Sequence, residues 1–298
     1  MLRVTIGGEG LRFGSRLEIS LRRTLRVPAD GRAYPLPPDL GAFELFAVRR
    51  SAKKLPAEMA RRGGAFLCLR AGEALWIRFE GRFWRPLAVQ VGAGGVNAVT
   101  GGPFPAKLSA TPQNYVVAPL QPWLDGFKTG AGVVRQFVGG RTGRGATVEE
   151  QLGGGEPLGG LRFRAFEAKP GKLPAREPRD AYRFAVSEGP PLGLGAGGAV
   201  EQGVYPDPYG VRIWDAANYG EAEVHFLGPA EFERVTGRPA PPKVVDAATY
   251  TKHGLPWFQF YEDRGALEAT EALRGLKPAP AEAGVEIPER QVVRTRRR

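Results

Sequence analysis

The sequence predicts a mostly β protein of the α+β class, in which two sandwich- or barrel-like β regions pack together and a few short helices follow. Three observations predict this fold: short segments with alternating apolar residues, abundant glycine and proline between them, and helix signals concentrated after residue 228. The chain of 298 residues contains 42 glycines and 27 prolines. Because these residues separate the alternating segments, we interpret them as turn residues of a β-rich fold.

The clearest predicted strand covers residues 17–27, where apolar side chains alternate with polar ones. A period of two places one face of a strand against a core. Two later segments, 74–80 and 82–91, are separated only by Gly81, which predicts a tight hairpin with Pro86 at an edge or a bulge. The other predicted strands are 65–70, 115–118, 133–138, 161–166, 182–187, 211–214 and 222–227.

Each predicted helix has its own start or stop signal. Pro56 restricts the first helix to the second half of its segment, because proline is not accommodated in a helix interior. The second begins with proline and ends with glycine, and Asp246 is a suitable N-cap for the third. The predicted helices lie at 51–62, 229–237, 246–250 and 264–275.

The sequence suggests two regions and a tail. Residues 1–168 form a basic β-rich region and residues 182–276 a mixed β/α region. Between them, residues 168–181 are rich in charge, proline and glycine, although one continuous domain with a long surface loop remains the alternative. Residues 277–298 read as a linker and a basic tail.

The net charge of +11 is distributed unevenly along the chain. Residues 1–100 carry 17 basic and 8 acidic side chains, whereas residues 201–289 have a net charge of −7 and the tail 290–298 adds +5. This polarity favours an anionic partner for the N-terminal part, or head-to-tail self-association. The excess of arginine (33) over lysine (9) suits anion recognition, but high-GC coding is the favoured cause.

Several kinds of site are excluded or disfavoured by the residue types present. Cys68 is the single cysteine and lies in an apolar run, so we expect a buried, small hydrophobic residue without a disulfide. The two histidines, His225 and His253, lack metal-ligand spacing, and no metal site is predicted. No serine lies in a hydrolase motif.

No cofactor is predicted, although glycine-rich segments are frequent. Residues 91–97 and 192–198 lack the strand-before, helix-after context that dinucleotide binding requires. Residues 139–147 resemble a phosphate cradle, but they lack the Gly-Lys-Ser/Thr of a P-loop, and a mobile basic loop is the favoured interpretation. Without an apolar run of about 18–20 residues or a signal-like N-terminus, we expect no membrane span and a cytoplasmic location.

Candidate functional residues come from three places. The strand at 74–80 places two ligand-binding candidates on one face, as a stacking surface for bases or sugars or as a tryptophan packed under arginine stems. An Asp-Gly turn with an arginine partner, and a Pro-Asp-Pro turn flanked by tyrosines, give the others. The ligand-binding candidates are Trp76, Arg78, Trp123, Arg135, Gln136, Tyr205, Tyr209 and Trp214. The catalytic candidates are Asp125, Asp207 and Asp215.

Seven blocks of the chain together resemble a family of uncharacterised bacterial proteins from high-GC lineages. The resemblance covers most of residues 20–263 and implies no particular activity, so no site residues are transferred from it. The blocks are 23–41, 84–101, 115–127, 133–138, 193–198, 205–210 and 251–263.

The sequence favours a soluble, non-enzymatic binding or assembly protein that has a protein partner or associates with itself. An anionic ligand is compatible with this function. One alternative is a carbohydrate-active or other hydrolase that uses paired carboxylates. A second alternative is a nucleic-acid-binding protein that uses the basic N-terminal part.

Overall fold

The computed structural model describes residues 1–143, 145–153, 159–174, 176, 196–261, 265–278 and 284–296. Strands predominate, and the protein is mostly β with a few short helices, as the sequence predicts. The strands are β1 (Val4–Ile6), β2 (Gly10–Phe13), β3 (Leu17–Thr24), β4 (Ala33–Tyr34), β5 (Phe46–Ala47), β6 (Ala65–Cys68), β7 (Ala74–Gly81), β8 (Leu87–Ala93), β9 (Val96–Asn97), β10 (Val116–Ala118), β11 (Trp123–Leu124), β12 (Gly126–Gly130), β13 (Val133–Val138), β14 (Leu161–Ala168), β15 (Ala196–Glu201), β16 (Trp214–Leu227), β17 (Trp257–Tyr261) and β18 (Val292–Arg296).

The strands form two large sheets and one small one. The nine-stranded sheet has the order β1-β2-β3-β7-β13-β15-β4, with β11 on β7 and β12 on β13. The seven-stranded sheet has the order β10-β8-β14-β16-β6-β5, with β9 on β8, and β17 pairs with β18. A single large apolar cluster includes buried side chains from both large sheets, so their inner faces share one core.

The pairing of β3 with β7 shows how the sequence pattern builds this core. Ile19 and Leu21 are buried on β3, and the buried residues Phe79 and Ile77 lie opposite them on β7. The two strands pair antiparallel over eight positions. Alternate residues of a strand share one face, so the period of two in the sequence becomes the buried face of the sheet.

The predicted hairpin between 74–80 and 82–91 is wrong, because these strands belong to different sheets. β7 pairs with β3, β11 and β13, whereas β8 pairs with β9, β10 and β14. Residues 82–86 therefore carry the chain from one sheet to the other. Pro86 precedes β8, which is an interior strand, so Pro86 marks neither an edge nor a bulge.

Strands from the two sides of residues 168–181 pair with each other in both large sheets. β14 pairs antiparallel with β16, from Leu161 opposite Val224 to Ala168 opposite Trp214. β13 pairs with β15 in the other sheet, and the shared core takes side chains from both sides. Residues 1–168 and 196–227 thus fold around the same core. The predicted strand 182–187 lies outside the described residues.

Three of the four predicted helices form near their capping signals. The structure contains α1 (Val48–Ser51), α2 (Ala57–Arg62), α3 (Val148–Leu152), α4 (Pro229–Thr236), α5 (Ala247–Lys252) and α6 (Glu271–Arg274), with 3₁₀ turns at Ala52–Lys54, Val211–Ile213 and Glu289–Gln291. Pro56 precedes α2, Gly237 ends α4 with φ of 70°, and Asp246 accepts a hydrogen bond from the Thr249 N–H at 2.7 Å. The fourth predicted helix, 264–275, contracts to the single turn of α6.

The segment predicted as linker and basic tail contains a strand. β18 pairs in parallel with β17, and Val292 lies opposite Trp257. Trp257 is fully buried, packs edge-on against Tyr250 at 6.0 Å, and donates its indole N–H to Thr251. The aromatic segment thus anchors α5 to the core, and the tail is held beside it. Parallel pairing between distant segments leaves no local signal in the sequence.

Candidate functional site

A cavity of about 240 Å³, the end cavity, lies at one end of the two packed sheets and has a lining of mixed polarity. β6, β13 and β16 end beside it, and β14 begins beside it. Positions at the ends of β structures are common places for small-molecule sites. The lining residues are Leu69, Arg70, Ala71, Ala93, Gly139, Gly140, Arg141, Thr142, Thr147, Val148, Glu149, Gly159, Gly160, Phe226, Gly228 and Pro229.

The turn between β6 and β7 places Arg70 at the cavity wall. Glu73 closes this turn, because its carboxylate accepts the Arg70 backbone N–H at 2.8 Å. Gly139 exchanges main-chain hydrogen bonds with Gly72 and Glu73, each at 2.8 Å. A Cβ atom at Gly139 would lie 2.5 Å from the Arg70 carbonyl oxygen, so only glycine allows the two segments to approach this closely. The turn is therefore fixed to the end of β13.

The next part of the wall is the segment that resembles a phosphate cradle. Glu150 organises it: the carboxylate accepts hydrogen bonds from the Gly143 N–H, the Thr147 N–H and the Thr147 hydroxyl. The Thr147 bonds, the backbone bond first, lower the pKa of Glu150 to about 2, so its carboxylate is ionised at neutral pH. This side chain holds the loop that presents Arg141 to the cavity.

Glu149 lines the cavity as well, but its carboxylate is engaged by the main chain. It accepts the N–H groups of Gly95 and Gly159, each at 2.7 Å. Gly94 has φ of 53°, and a Cβ atom there would lie 1.9 Å from the Glu149 carboxyl group. The glycine-rich segment 91–97 is thus the turn between β8 and β9, and its glycines make room for this carboxylate.

Two arginines line the cavity, and their side chains differ in their contacts. Arg70 forms an ion pair with Glu73, in which its buried Nη1 atom lies 3.9 Å from the Glu73 Oε1 atom. Arg141 is exposed, and no described residue forms a hydrogen bond or ion pair with it. The donors of Arg141 are therefore the ones available to an anion at this wall, whereas the positive charge of Arg70 is partly offset by Glu73.

The structure brings together the three candidates Trp76, Arg78 and Trp123. Trp123 lies opposite Arg78 in the register of β11 and β7, and the two tryptophan rings meet edge to face at 6.2 Å. However, Trp76 is only 4% exposed, and Arg78 is paired with Glu80 at 2.7 Å. Of the two interpretations of this face, the structure therefore agrees with a packed Trp76 and not with an exposed stacking surface.

Asp125 lies between β11 and β12, Arg135 and Gln136 lie on β13, and the three side chains make no hydrogen bond or ion pair with one another. Asp125 is buried, and burial raises its pKa to about 8 despite a hydrogen bond from Trp123. Arg135 makes no ion pair with it, and burial alone lowers the pKa of Arg135. The Gln136 amide joins two backbone groups, accepting from the Val27 N–H at 2.8 Å and donating to the Leu25 carbonyl at 3.0 Å.

Asp207 is the centre of an aromatic cluster. Its Oδ2 atom accepts the Tyr115 hydroxyl at 2.6 Å and the Trp214 indole N–H at 2.8 Å, while Oδ1 accepts the Tyr209 backbone N–H at 2.8 Å. The Tyr209 ring meets Trp214 edge to face at 6.1 Å. The Asp207 carboxylate thus joins two distant parts of the chain.

The remaining two candidates also have structural contacts. The Tyr205 backbone N–H donates to the side-chain oxygen of Gln121 at 3.1 Å. Asp215 accepts the Ala217 N–H at 3.0 Å within a turn. Among the described residues, no hydrogen bond joins any two of the three candidate aspartates, and the printed contacts of Asp207 and Asp215 are structural.

The sequence pointed to the loop of Arg141 but missed Arg70 and Glu149. Arg70 follows a buried strand and precedes a turn glycine, a position where a connection meets the end of a sheet. Which connections meet at the same end depends on strand order, and strand order is not visible in one sequence. Glu149 follows the helix cap Thr147, a signal that predicts a short helix and nothing about its surroundings.

Within the described ranges, no three side chains of the His, Cys, Asp or Glu type are grouped as they would be around a metal ion. No helix in the same part of the chain has the length and apolar character needed to cross a membrane. Cys68 and His225 are both buried in neighbouring strands, and the His225 Nε2 atom lies 2.8 Å from the Gly63 carbonyl.

The fold and the cavity define a mostly β protein with an arginine-lined pocket at one end of two packed sheets. Comparison with family models, with curated proteins and with solved structures finds no match to the chain. The resemblance to an uncharacterised bacterial family therefore stays a prediction.

Proposed function

We propose that this protein binds a compact anionic ligand, bearing a phosphate or carboxylate group, in the end cavity. The observation that carries the proposal is the pair of arginines at its wall, of which Arg141 is exposed and has no hydrogen bond or ion pair to a described residue. Arginine recognises both kinds of anion through two parallel N–H donors. The cavity, at about 240 Å³, is smaller than the ~300–1,000 Å³ of drug-sized ligand sites, which suits a compact molecule.

The acidic group at the wall does not oppose this proposal. The Glu149 carboxylate already accepts two backbone N–H groups, which offset much of its charge. The hydrogen bonds of Glu150 to Gly143 and Thr147, and that of Glu73 to the Arg70 backbone, fix the main chain on either side of the wall before a ligand arrives. Preorganisation of this kind lowers the cost of binding.

We expect Arg141→Ala to weaken the binding of inorganic phosphate or acetate about tenfold, the effect of losing one charge-assisted hydrogen bond. Isothermal titration calorimetry measures this directly. Arg49→Ala is the matched control, because Arg49 is exposed on α1 and does not line the cavity. Arg70→Lys keeps the positive charge but loses the fork of donors, so it should weaken binding while the fold is retained.

The proposal is overturned if the wild-type protein binds neither anion, or if Arg141→Ala binds them as tightly as Arg49→Ala does. Thermal unfolding of each variant in buffer without added anions separates a loss of binding from a loss of stability. A ligand that binds the native state raises its melting temperature, so the same anions should also stabilise the wild type.

A second candidate function, nucleic-acid binding, is favoured by one surface feature. Trp84, between β7 and β8, lies beside two guanidinium groups, with Arg82 at 5.8 Å and Arg85 at 5.1 Å from its ring. Aromatic rings stacked beside arginines suit single-stranded bases. Here Trp84→Ala should reduce oligonucleotide affinity, and the wild-type affinity should fall steeply with salt. Salt-independent or absent binding at low salt would remove this candidate.

A further inference from the structure

A second, smaller cavity shares a wall with the end cavity. Its volume is about 130 Å³. Arg70 and Ala71 line both cavities, so the two cavities adjoin at the turn between β6 and β7. The other lining residues are Thr24, Arg26, Gly72, Glu73, Ala74, Lys243, Val244, Val245 and Asp246.

This second cavity has basic side chains of its own. Lys243 is exposed on the segment before α5, and no described residue forms a hydrogen bond or ion pair with it. The Arg26 guanidinium lies over the same turn, because a Cβ atom at Gly72 would be 3.7 Å from its Nη1 atom. Together with Arg70, which lines both cavities, Arg26 and Lys243 give the smaller cavity three cationic residues.

The two acidic residues of this cavity are engaged in structural contacts. Glu73 accepts the Arg70 backbone N–H at 2.8 Å, and its other oxygen is 3.7 Å from the Arg23 guanidinium. Asp246 caps α5 by accepting the Thr249 N–H at 2.7 Å, and this hydrogen bond lowers the pKa of Asp246. The carboxylates of Glu73 and Asp246 therefore stabilise local structure, whereas the Lys243 side chain makes no hydrogen bond or ion pair with a described residue.

From these contacts we infer that the ligand carries two anionic groups, one in each cavity, with Arg70 between them. This inference rests on the proposed function, because it assigns the end cavity to the first anionic group. The second group would lie near Lys243 and Arg26. The expected ligand is thus a compact molecule with acidic groups at both ends, either two phosphates or two carboxylates.

The test compares matched pairs of probes by calorimetry: a hexose bisphosphate with its monophosphate, and adipate with hexanoate. The wild type should bind the doubly charged member of at least one pair about tenfold more tightly, since a second charge-assisted contact contributes about 1.4 kcal/mol. The pair that shows this difference identifies the chemistry as phosphate or carboxylate. Equal affinities within both pairs would overturn the inference.

Variants then locate the second group. Lys243→Ala should remove most of the advantage of the doubly charged probe and leave the singly charged one unchanged. Lys252→Ala, which removes the same charge from an exposed position on α5, is the matched control. If Lys243→Ala behaves like Lys252→Ala, the inference is wrong, even where Arg141→Ala confirms the end cavity. If no probe binds the wild type, the proposed function fails as well.

Discussion

Asp207→Ala should destabilise the protein by about 3 kcal/mol, because it leaves two buried donors without an acceptor. The Tyr115 hydroxyl and the Trp214 indole N–H both donate to one oxygen of this carboxylate. Tyr115 is completely buried and Trp214 is 3% exposed, and Asp207 itself is half-buried, so water can approach the two donors only from the Asp207 side. Denaturant unfolding, followed by the fluorescence of the tryptophans, measures the change in the free energy of unfolding.

Asp215→Ala is the matched control for this experiment. It removes the same charged group from a turn in which the carboxylate accepts a single backbone N–H. We expect a cost below about 1 kcal/mol, as for other substitutions away from buried contacts. If Asp207→Ala costs no more than Asp215→Ala, the hydrogen bonds to Asp207 do not stabilise the fold. That result would instead favour a functional role for the Asp207 carboxylate, because active-site residues often reduce the stability of the fold.

Part of the structural role of Asp207 could be predicted from the sequence. The Pro-Asp-Pro-Tyr segment predicts a turn, and the hydrogen bond from the Tyr209 N–H to the carboxylate is the local contact such a turn provides. The hydrogen bond from the Tyr115 hydroxyl to Asp207 joins residues 92 positions apart, so no local sequence pattern predicts it. The sequence therefore predicts the turn at Asp207 but not the hydrogen bonds that its carboxylate accepts from Tyr115 and Trp214.

The same division between local and distant information explains the fold prediction. β13 and α4 follow local signals, an alternating run and a Pro-to-Gly frame, and both form where the sequence predicts them. The expected hairpin around Gly81 fails because spacing alone cannot tell whether consecutive strands pair or separate into two sheets. The parallel pairs β15–β4 and β16–β6 depend on distant segments and were invisible for the same reason.

The candidate site follows the same rule. The glycines and the basic charge of the loop that contains Arg141 are local properties, so the sequence alone indicates this loop. Arg70 and Glu149, which also line the cavity, lie in the turn between β6 and β7 and on α3, respectively. The order of the strands places these segments at the same end of the two sheets. Lys243 comes from a segment more than a hundred residues further along the chain. A single sequence can therefore suggest one wall of a site that several connections complete.

Asp125→Asn should make the stability of the protein less dependent on pH than that of the wild type. The Asp125 carboxyl group is buried, and its Oδ2 atom has no hydrogen-bond partner. Burial raises its pKa to about 8 in the native protein, whereas an unfolded chain ionises an aspartate near ~3.9. Between these values the native state retains a proton that the unfolded state releases, so the contribution of Asp125 to stability is complete below about pH 4 and is lost as the pH rises towards 8.

Asparagine has nearly the same shape and does not titrate, so the variant loses this pH dependence. Its stability relative to the wild type should rise by up to about 1.4 kcal/mol for each pH unit between pH 5 and 7. Any cost of burying the new amide donors is independent of pH and shifts all values equally. Urea unfolding of both proteins across this range gives the slope, and Asp215→Asn controls for removing a charge at a turn. A difference that stays constant with pH would show that the Asp125 carboxyl group is ionised in the native protein, and that water or a cation reaches this part of the nine-stranded sheet.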